Sequence, residues 1–207
     1  PEMGLTLPGG AAFSLAMDAV DDDGVLHVWN FPEGCTKQRM RHWRFRAGDD
    51  LPVRVDERGT DLDWVNPMGS ALLDVDGDGR LDLLMSAGGR NAVLAGPEYV
   101  TALRDPRGLG DHPSRFENLA SAWSMVLLDA DQDGAPDVYI THNAARPELP
   151  PFTLTDALYL RTAGGRYQDI GARVGIDRDH DCQAALGVDL DRDGDADLLT
   201  GCRNGLR

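Results

Sequence analysis

The nine residues "DVDGDGRLD" (Asp74 to Asp82) decide how the rest of the chain is interpreted. Aspartates stand at the first, third, fifth and ninth positions, a glycine stands at the sixth, and apolar residues flank the stretch on both sides. Four carboxylates this close together repel one another strongly unless a cation lies among them. The stretch therefore predicts a metal-binding loop.

The same pattern, D-x-D-x-D-G-x-x-D, recurs along the chain. It appears as "DADQDGAPD" (Asp129 to Asp137) and "DLDRDGDAD" (Asp189 to Asp197), and a degenerate copy, "AVDDDGVLH" (Ala19 to His27), lacks the first and last aspartates. The sixth-position glycines of the four copies are 55, 55 and 60 residues apart: Gly24, Gly79, Gly134 and Gly194. Such a fixed period predicts four copies of one supersecondary unit.

Short apolar runs precede and follow each full loop, as in "SALL" before and "LDLLMS" after the first. Runs of this length bounded by turn residues predict strands. Two further stretches, "HWRFRAGDDLPVRV" and "ALYLRTAGGRYQDI", predict hairpins with glycine in the turn. The sequence therefore predicts an all-β fold, a β-propeller with blades of about 55–60 residues.

The predicted propeller forms one region, 1–207, with repeats at approximately 11–65, 66–120, 121–180 and 181–207. The last repeat is incomplete, because the chain stops about one hairpin short, just after the strand that follows the third full loop. We therefore expect a partial or fragmentary propeller with about four repeats. A compact incomplete ring completed by a partner is the alternative.

The residue types and their spacing select Ca²⁺ as the metal. Alternate carboxylates, a glycine at the turn and a backbone carbonyl at position 7 supply the hard oxygen ligands that Ca²⁺ prefers. The full loops contain no Cys or His, which disfavours Zn²⁺, and Mg²⁺ demands stricter octahedral geometry. An EF-hand would need a glutamate at position 12, where Met85, Ile140 and Thr200 stand.

The loop motif inside a strand–loop–strand unit resembles the FG-GAP/VCBS repeats of integrin α-subunit propellers and secreted bacterial proteins. The segment "LYLRTAGGRYQDIGARVGID…LGVDLDRDGDADLLTGCRNG" is similar to the ASPIC/UnbV (cartilage acidic protein-like) group. The resemblance implies an extracellular calcium-binding β-propeller with about three Ca²⁺ sites. The ligands that it implies are Asp74, Asp76, Asp78, the Arg80 carbonyl and Asp82; Asp129, Asp131, Asp133, the Ala135 carbonyl and Asp137; and Asp189, Asp191, Asp193, the Asp195 carbonyl and Asp197. In the degenerate copy Asp18 is one residue out of register, so we expect weak or no calcium binding there.

Charge and cysteine content restrict the partners and the compartment. The formal net charge of −15 disfavours nucleic-acid binding, and no stretch approaches the ~18 apolar residues of a membrane span. Cys182 and Cys202 flank the third loop almost symmetrically, which predicts a disulfide if the flanking strands pair. Cys35 is then expected to be free or paired with a cysteine outside these residues. A secreted, periplasmic or cell-surface location is therefore expected.

The function expected from these features is adhesion, through binding of a protein or a glycan, with calcium in a structural role. No catalytic motif is found, and the five histidines show no metal-ligand spacing. The basic run "KQRMRHWRFR" (Lys37 to Arg46) predicts a solvated strand face, with contact to an acidic partner as the alternative. Two other functions stay open, namely an accessory subunit of a larger surface or membrane assembly and a polysaccharide-active enzyme on the same scaffold.

Overall fold

A computed structural model describes residues 12–18, 25–32, 41–46, 48, 53–54, 67–87, 91–96, 99, 101–103, 106–109, 120–144, 156–176, 182–203 and 205–206. In these ranges the chain forms fourteen strands and one short helix, so the predicted all-β fold is confirmed. Cys35 and positions 19–24 of the degenerate copy lie outside the described residues. In the described part of the chain, no helix is long and apolar enough to cross a membrane.

The strands form four antiparallel sheets, and each sheet is built from consecutive strands. The first sheet contains β1 (Ala12–Asp18), β2 (Val25–Pro32), β3 (Arg41–Arg46) and β4 (Val53–Arg54), and the second contains β5 (Pro67–Leu73), β6 (Asp82–Ala87) and β7 (Ala92–Leu94). The third contains β8 (Ala120–Leu128), β9 (Asp137–Ala144), β10 (Ala157–Arg161) and β11 (Tyr167–Asp169). Helix α1 (Gly171–Val174) follows it, and the fourth sheet contains β12 (Cys182–Val188), β13 (Asp197–Cys202) and β14 (Gly205–Leu206).

Each full acidic loop connects the first two strands of its sheet in the same register. The residue before the loop pairs with the ninth-position aspartate, as Leu73 does with Asp82. The corresponding pairs are Leu128 with Asp137 and Val188 with Asp197. The repeated sequence therefore produces a repeated hairpin, with the loop at one end and its last aspartate inside the second strand.

Both predicted glycine hairpins are present. Strands β10 and β11 pair across the turn that contains Gly164 and Gly165, with Arg161 opposite Tyr167. Strands β3 and β4 pair with Trp43 opposite Arg54. These hairpins extend the first and third sheets beyond the strand–loop–strand unit.

Neighbouring sheets pack on one another in chain order, with the first strand of one sheet beside the first strand of the next: β1 beside β5, β5 beside β8 and β8 beside β12. Three apolar clusters fill the spaces between the sheets. The cluster between the first two sheets contains Trp29, Leu83, Met85, Leu94 and Tyr99. The cluster between the second and third sheets contains Leu73, Val75, Leu84, Val93, Leu109, Ala122, Val138, Ile140, Ala157, Tyr159 and Tyr167. The cluster between the third and fourth sheets is centred on Val126, Leu128, Tyr139, Leu158 and Ile170, with Ala185 and Leu198 packed against it.

Glycine permits the close approach of the second and third sheets. A Cβ atom on Gly69 of β5 would lie 2.2 Å from the carbonyl oxygen of Trp123 in β8. The neighbouring Ser86 side chain accepts the Gly69 N–H at 2.8 Å. A larger residue at position 69 would push the two first strands apart.

The predicted disulfide between Cys182 and Cys202 is present. The two residues are opposite each other at the end of the β12–β13 hairpin that is distant from the acidic loop, with their Cα atoms 3.8 Å apart. The bond therefore closes the hairpin that carries the third acidic loop.

Candidate metal centres

The three full loops are named loop 1 (Asp74–Asp82), loop 2 (Asp129–Asp137) and loop 3 (Asp189–Asp197). In each loop three carboxylate groups contribute oxygen atoms that lie within 4.8 Å of one another. The three groups are Asp74, Asp76 and Asp78; Asp129, Asp131 and Asp137; and Asp189, Asp191 and Asp197. The structure therefore brings together nine of the predicted side-chain ligands in sets of three.

The first aspartate of each loop folds the backbone around its own carboxylate. In loop 1, Asp74 Oδ1 accepts the N–H groups of Gly77 at 2.7 Å and Asp78 at 3.1 Å, and its Oδ2 accepts the Gly79 N–H at 3.0 Å. The first aspartates of the other loops accept the sixth-position glycine N–H in the same way, Asp129 from Gly134 at 2.9 Å and Asp189 from Gly194 at 3.1 Å. A short acidic side chain at this position thus determines the loop conformation.

The third and fifth positions form the same local turns in all three loops. Each of these carboxylates accepts the N–H of the residue two positions later: Asp76 from Asp78, Asp78 from Arg80, Asp131 from Asp133, Asp133 from Ala135, Asp191 from Asp193 and Asp193 from Asp195, at 2.8–3.3 Å. The N–H groups of Arg80, Ala135 and Asp195, the residues with the predicted carbonyl ligands, are thus fixed by these hydrogen bonds, and Asp195 is exposed.

Two positions of each loop have left-handed backbone. The sixth-position glycines have φ angles of 87°, 86° and 100° in loops 1, 2 and 3. At the fourth position Gly77 has φ 80°, whereas Gln132 and Arg192 adopt 61° and 66° despite their side chains. A left-handed backbone costs conformational energy at residues other than glycine. Loops 2 and 3 therefore keep the same turn as loop 1 although Gln132 and Arg192 carry this cost.

The ninth aspartate connects the loop to the sheet. Asp82 Oδ2 accepts the Val75 N–H at 3.0 Å, and its Oδ1 accepts the Gly96 N–H, also at 3.0 Å. Asp137 makes the same pair of bonds, to the N–H of Ala130 at 2.8 Å and of Arg161 at 2.7 Å. In loop 3, Asp197 accepts the Leu190 N–H at 2.9 Å.

Burial separates the ninth aspartates from the rest of the loop. Asp82 and Asp137 are 1% and 0% exposed, whereas Asp197 is exposed. Burial raises the pKa of Asp82 and of Asp137, and the backbone N–H groups that they accept oppose this rise. Two of the three ninth-position carboxylates are therefore part of the protein interior.

Some predicted ligands lie outside the converged groups, namely Asp82, Asp133 and Asp193. The Asp82 oxygens point to backbone N–H groups at the base of loop 1. In loop 1 the Arg80 guanidinium also binds Asp78, with Nε and Nη2 at 3.0 and 2.7 Å from Oδ2. These hydrogen bonds lower the pKa of Asp78, and any cation at this carboxylate competes with Arg80.

Three residues outside the acidic motif connect loop 1 to loop 2. Arg107 Nη2 donates to the Asp76 carbonyl at 2.9 Å, and the Arg107 carbonyl accepts the Tyr167 N–H at 2.7 Å. The Tyr167 hydroxyl donates to the Pro136 carbonyl of loop 2 at 3.5 Å, and the Arg161 guanidinium carbon lies 6.0 Å from the Tyr167 ring centroid. Arg161 and Tyr167 lie in the predicted glycine hairpin and Arg107 lies in no motif, so no sequence pattern placed the three together.

His27 and His42, which share no sequence motif, contact each other. Their Nδ1 and Nε2 atoms are 2.8 Å apart, and both rings stack with Trp29 between the first two sheets. The register of the β2–β3 hairpin, which places Trp29 opposite His42, was the signal that could have revealed the pair. His112 and His180 lie outside the described residues.

His142 belongs to a different environment in the third sheet. Its backbone N–H donates to Asp156 Oδ1 at 2.8 Å, and the Tyr139 hydroxyl donates to Asp156 Oδ2 at 2.6 Å. All three residues are buried. This carboxylate therefore binds two neighbouring groups of β9 inside the sheet.

The basic run of the sequence is described from Arg41 onward, within β3. Arg44 and Arg46 are exposed, Phe45 is half-buried and Trp43 is buried. These exposures agree with a strand that has one solvated face, which carries the arginines, and one face that carries the aromatic residues. Lys37 to Met40 lie outside the described residues.

No protein-family model and no curated protein sequence matches this chain. The donor groups themselves therefore decide which ligand fits the loops. Each converged group consists entirely of carboxylate oxygens, which suits a hard cation and disfavours Zn²⁺. This donor set is of the kind that hard cations prefer.

Proposed function

We propose that the three loops bind Ca²⁺ and that the chain is a calcium-stabilised β-propeller region of a secreted, periplasmic or cell-surface protein. The observation that carries this proposal is the convergence of three carboxylates in every full loop, on one repeated pattern of backbone hydrogen bonds. A single acidic turn would be ordinary, whereas three with the same register within their sheets indicate a common ligand.

The converged carboxylates of each loop would hold the cation, and the position 7 carbonyl would complete the site. Bound calcium would neutralise the clustered negative charge and couple its binding free energy to folding. The mutual repulsion of these carboxylates would be relieved, at positions 1, 3 and 5 in loop 1 and at positions 1, 3 and 9 in loops 2 and 3.

The packing of the sheets supports the propeller part of the proposal. Each sheet is an antiparallel meander, and its first strand lies beside the first strand of the next sheet. The apolar clusters repeat between successive sheets in chain order. A radial arrangement of blades around first strands has this order of contacts.

The role that fits such a scaffold best is adhesion through a protein or glycan ligand. The Cys182–Cys202 disulfide supports an oxidising compartment, where millimolar calcium also occurs. The described residues give no specific support to the enzymatic alternative.

The test is thermal unfolding of the protein in millimolar calcium and in excess EGTA, with a metal count on the same sample. Modules of this class bind calcium with Kd of about 0.1–1 mM, which gives about 0.4–1.4 kcal/mol per site at millimolar calcium. Three sites would raise Tm by between about 3 and 15 °C. An unchanged Tm and no bound calcium would contradict the proposal.

A second candidate function, a subunit of a larger assembly, is favoured by the outer face of the fourth sheet. Ala185 and Leu198 of this sheet pack against the third sheet. Since side chains alternate along a strand, Leu186 and its partner Leu199 lie on the opposite face. Leu186 is 57% exposed, and Leu206, on the neighbouring strand, is 75% exposed.

The equivalent face of the third sheet is covered by another sheet. Val126 and Tyr139 occupy the same positions around loop 2 that Leu186 and Leu199 occupy around loop 3. Both are buried in the cluster between the third and fourth sheets. The outer face of the fourth sheet therefore suits another apolar β-sheet, which a second copy of the chain can supply with the same face. Light scattering over a concentration series should show dimers, and Leu186→Ser with Leu206→Ser should abolish them. A protein that stays monomeric at high concentration would argue against this function.

A further inference from the structure

We propose that loops 1 and 2 bind calcium cooperatively, through a link formed by Arg107, Tyr167 and Arg161. This inference rests on the proposed calcium binding, and it adds that two of the three sites depend on each other. The link joins the base of the second sheet's loop to the base of the third sheet's loop through hydrogen bonds on described residues.

The link begins at Asp76, whose carboxylate belongs to the loop 1 group. Its carbonyl accepts a hydrogen bond from Arg107 Nη2 at 2.9 Å. Arg107 has a left-handed backbone with φ 54°, and its own carbonyl accepts the Tyr167 N–H at 2.7 Å. A Cβ atom on the adjacent Gly108 would lie 2.3 Å from the Tyr167 carbonyl oxygen, so this segment lies directly against β11.

The link continues from Tyr167 to loop 2 along two routes. Tyr167 pairs with Arg161 across the β10–β11 hairpin, and the Arg161 N–H donates to Asp137 Oδ1 at 2.7 Å. The Tyr167 hydroxyl also donates to the Pro136 carbonyl at 3.5 Å. Both routes end at the last two residues of loop 2, and Asp137 belongs to the loop 2 carboxylate group.

The Tyr167 side chain itself lies between the two loops. Its ring is buried in the same apolar cluster as Val75, the second residue of loop 1. Burial raises the pKa of Tyr167 to about 12, the Arg161 charge lowers it, and the charges of Asp137 and Asp74 raise it. The Tyr167 side chain therefore connects the apolar cluster under loop 1 to the Pro136 carbonyl of loop 2.

This geometry predicts positive coupling. A cation in loop 1 would fix Asp76, and with it Arg107 and the strand that holds Asp137. The second cation would then bind a loop whose base is already ordered. The conformational entropy lost in ordering the shared residues is therefore lost only once, on binding of the first cation. Linkage requires the effect to be reciprocal, so each loop strengthens the other by the same factor, which we expect to be about fivefold.

The experiment measures calcium affinity by titration calorimetry on full-length chains with loop 3 disabled by Asp189→Asn and Asp191→Asn. In a second chain loop 2 is also disabled, by Asp129→Asn and Asp131→Asn. Asp137 stays unchanged in both chains, because it is buried and connects loop 2 to the sheet. Loop 1 should bind calcium about fivefold more weakly in the second chain.

The link is then broken by Arg107→Asn in both chains. Asparagine tolerates the left-handed backbone of position 107 and removes the guanidinium that contacts Asp76. The fivefold difference should disappear. Arg173→Gln, which removes an exposed arginine of α1, is the matched control and should preserve the difference.

Each outcome of the experiment decides between the two proposals. No calcium binding in the parent chain overturns the proposed function together with the coupling. Calcium binding with equal loop 1 affinity in both chains, or with tighter binding after loop 2 is disabled, overturns the coupling alone. A fivefold difference that survives Arg107→Asn overturns the named link. If Arg107→Asn does not fold, as judged by its thermal transition, Tyr167→Phe takes its place and should reduce the difference.

Discussion

Replacing Asp137 by asparagine tests whether the ninth aspartate of a loop stabilises the fold without any cation. Both oxygens of this buried carboxylate accept backbone N–H groups, from Ala130 at 2.8 Å and from Arg161 at 2.7 Å. Asparagine offers one oxygen and one NH₂ group, so one of the two backbone donors would face another donor. Asp137→Asn should therefore destabilise the protein in EGTA as well as in calcium.

The magnitude follows from these two contacts. Losing one hydrogen bond to a charged acceptor costs about 1.5–3 kcal/mol, and an unsatisfied buried donor adds about 1–3 kcal/mol. Removing a buried charge recovers part of this loss, since burial raises the pKa of Asp137. We expect a net decrease of about 2 kcal/mol in the free energy of unfolding in EGTA.

Asp131→Asn is the matched control in the same loop. Asp131 is exposed and accepts one N–H, from Asp133 at 3.3 Å. Its substitution should change the free energy of unfolding in EGTA by less than about 0.5 kcal/mol, while removing the calcium-dependent part in the same way as Asp137→Asn.

Urea unfolding, followed by tryptophan fluorescence in EGTA and in calcium, measures both effects. With an m-value of about 2.5 kcal/mol/M, a loss of about 2 kcal/mol lowers the midpoint by about 0.8 M. If the two variants unfold at the same urea concentration in EGTA, the ninth aspartate has no metal-independent role and the reasoning from its hydrogen bonds is refuted.

Three further predictions concern the scaffold. Cys182→Ser with Cys202→Ser removes a cross-link between residues 20 apart and should lower the free energy of unfolding by about 3 kcal/mol, which chemical denaturation under non-reducing conditions measures; an unchanged midpoint would contradict it. Gly69→Ala should cost about 2 kcal/mol, because its Cβ would lie 2.2 Å from a backbone oxygen of the next sheet, whereas Gly164→Ala, with 4.0 Å to its nearest atom, should be nearly neutral in the same assay. Burial raises the pKa of Tyr139 above the unfolded value near 10, so above that pH the folded protein keeps a proton that the unfolded chain loses. The free energy of unfolding should therefore fall as the pH rises above about 10, and Tyr139→Phe should make this fall less steep. An unchanged pH dependence in the variant would refute the prediction.

The strand–loop–strand units were predictable from the sequence because local chemistry determines them. A short apolar run, a glycine that adopts positive φ and an aspartate that accepts nearby N–H groups are all visible within a dozen residues. The Cys182–Cys202 pair was predictable for the same reason, since both cysteines belong to one hairpin. Short strands such as β7 (Ala92–Leu94) were not singled out, because three residues carry too little pattern.

The contacts between repeated units could not be predicted from the sequence. Arg107 lies outside every motif, and its contact with Asp76 depends on a left-handed backbone conformation and on the approach of β11. The His27–His42 pair depends likewise on the register of one hairpin, and His42 also contacts Tyr99, which follows the last strand of the second sheet. Such contacts depend on how the units pack, and a single sequence carries no direct record of packing.

The four aspartates of a loop share one letter in the sequence but have different physical roles. Asp74, Asp76 and Asp78 use their oxygens to fold a solvent-facing turn, and they converge where a cation would be needed. Asp82 is buried, and its two oxygens hold the turn, through Val75, and the segment after β7, through Gly96. Backbone N–H groups thus offset part of the repulsion that the sequence alone assigns to four clustered charges. In loop 1, bound calcium would therefore stabilise mainly through the first, third and fifth positions, while Asp82 shapes the loop; in loops 2 and 3 the ninth aspartate belongs to the converged group and would serve both purposes.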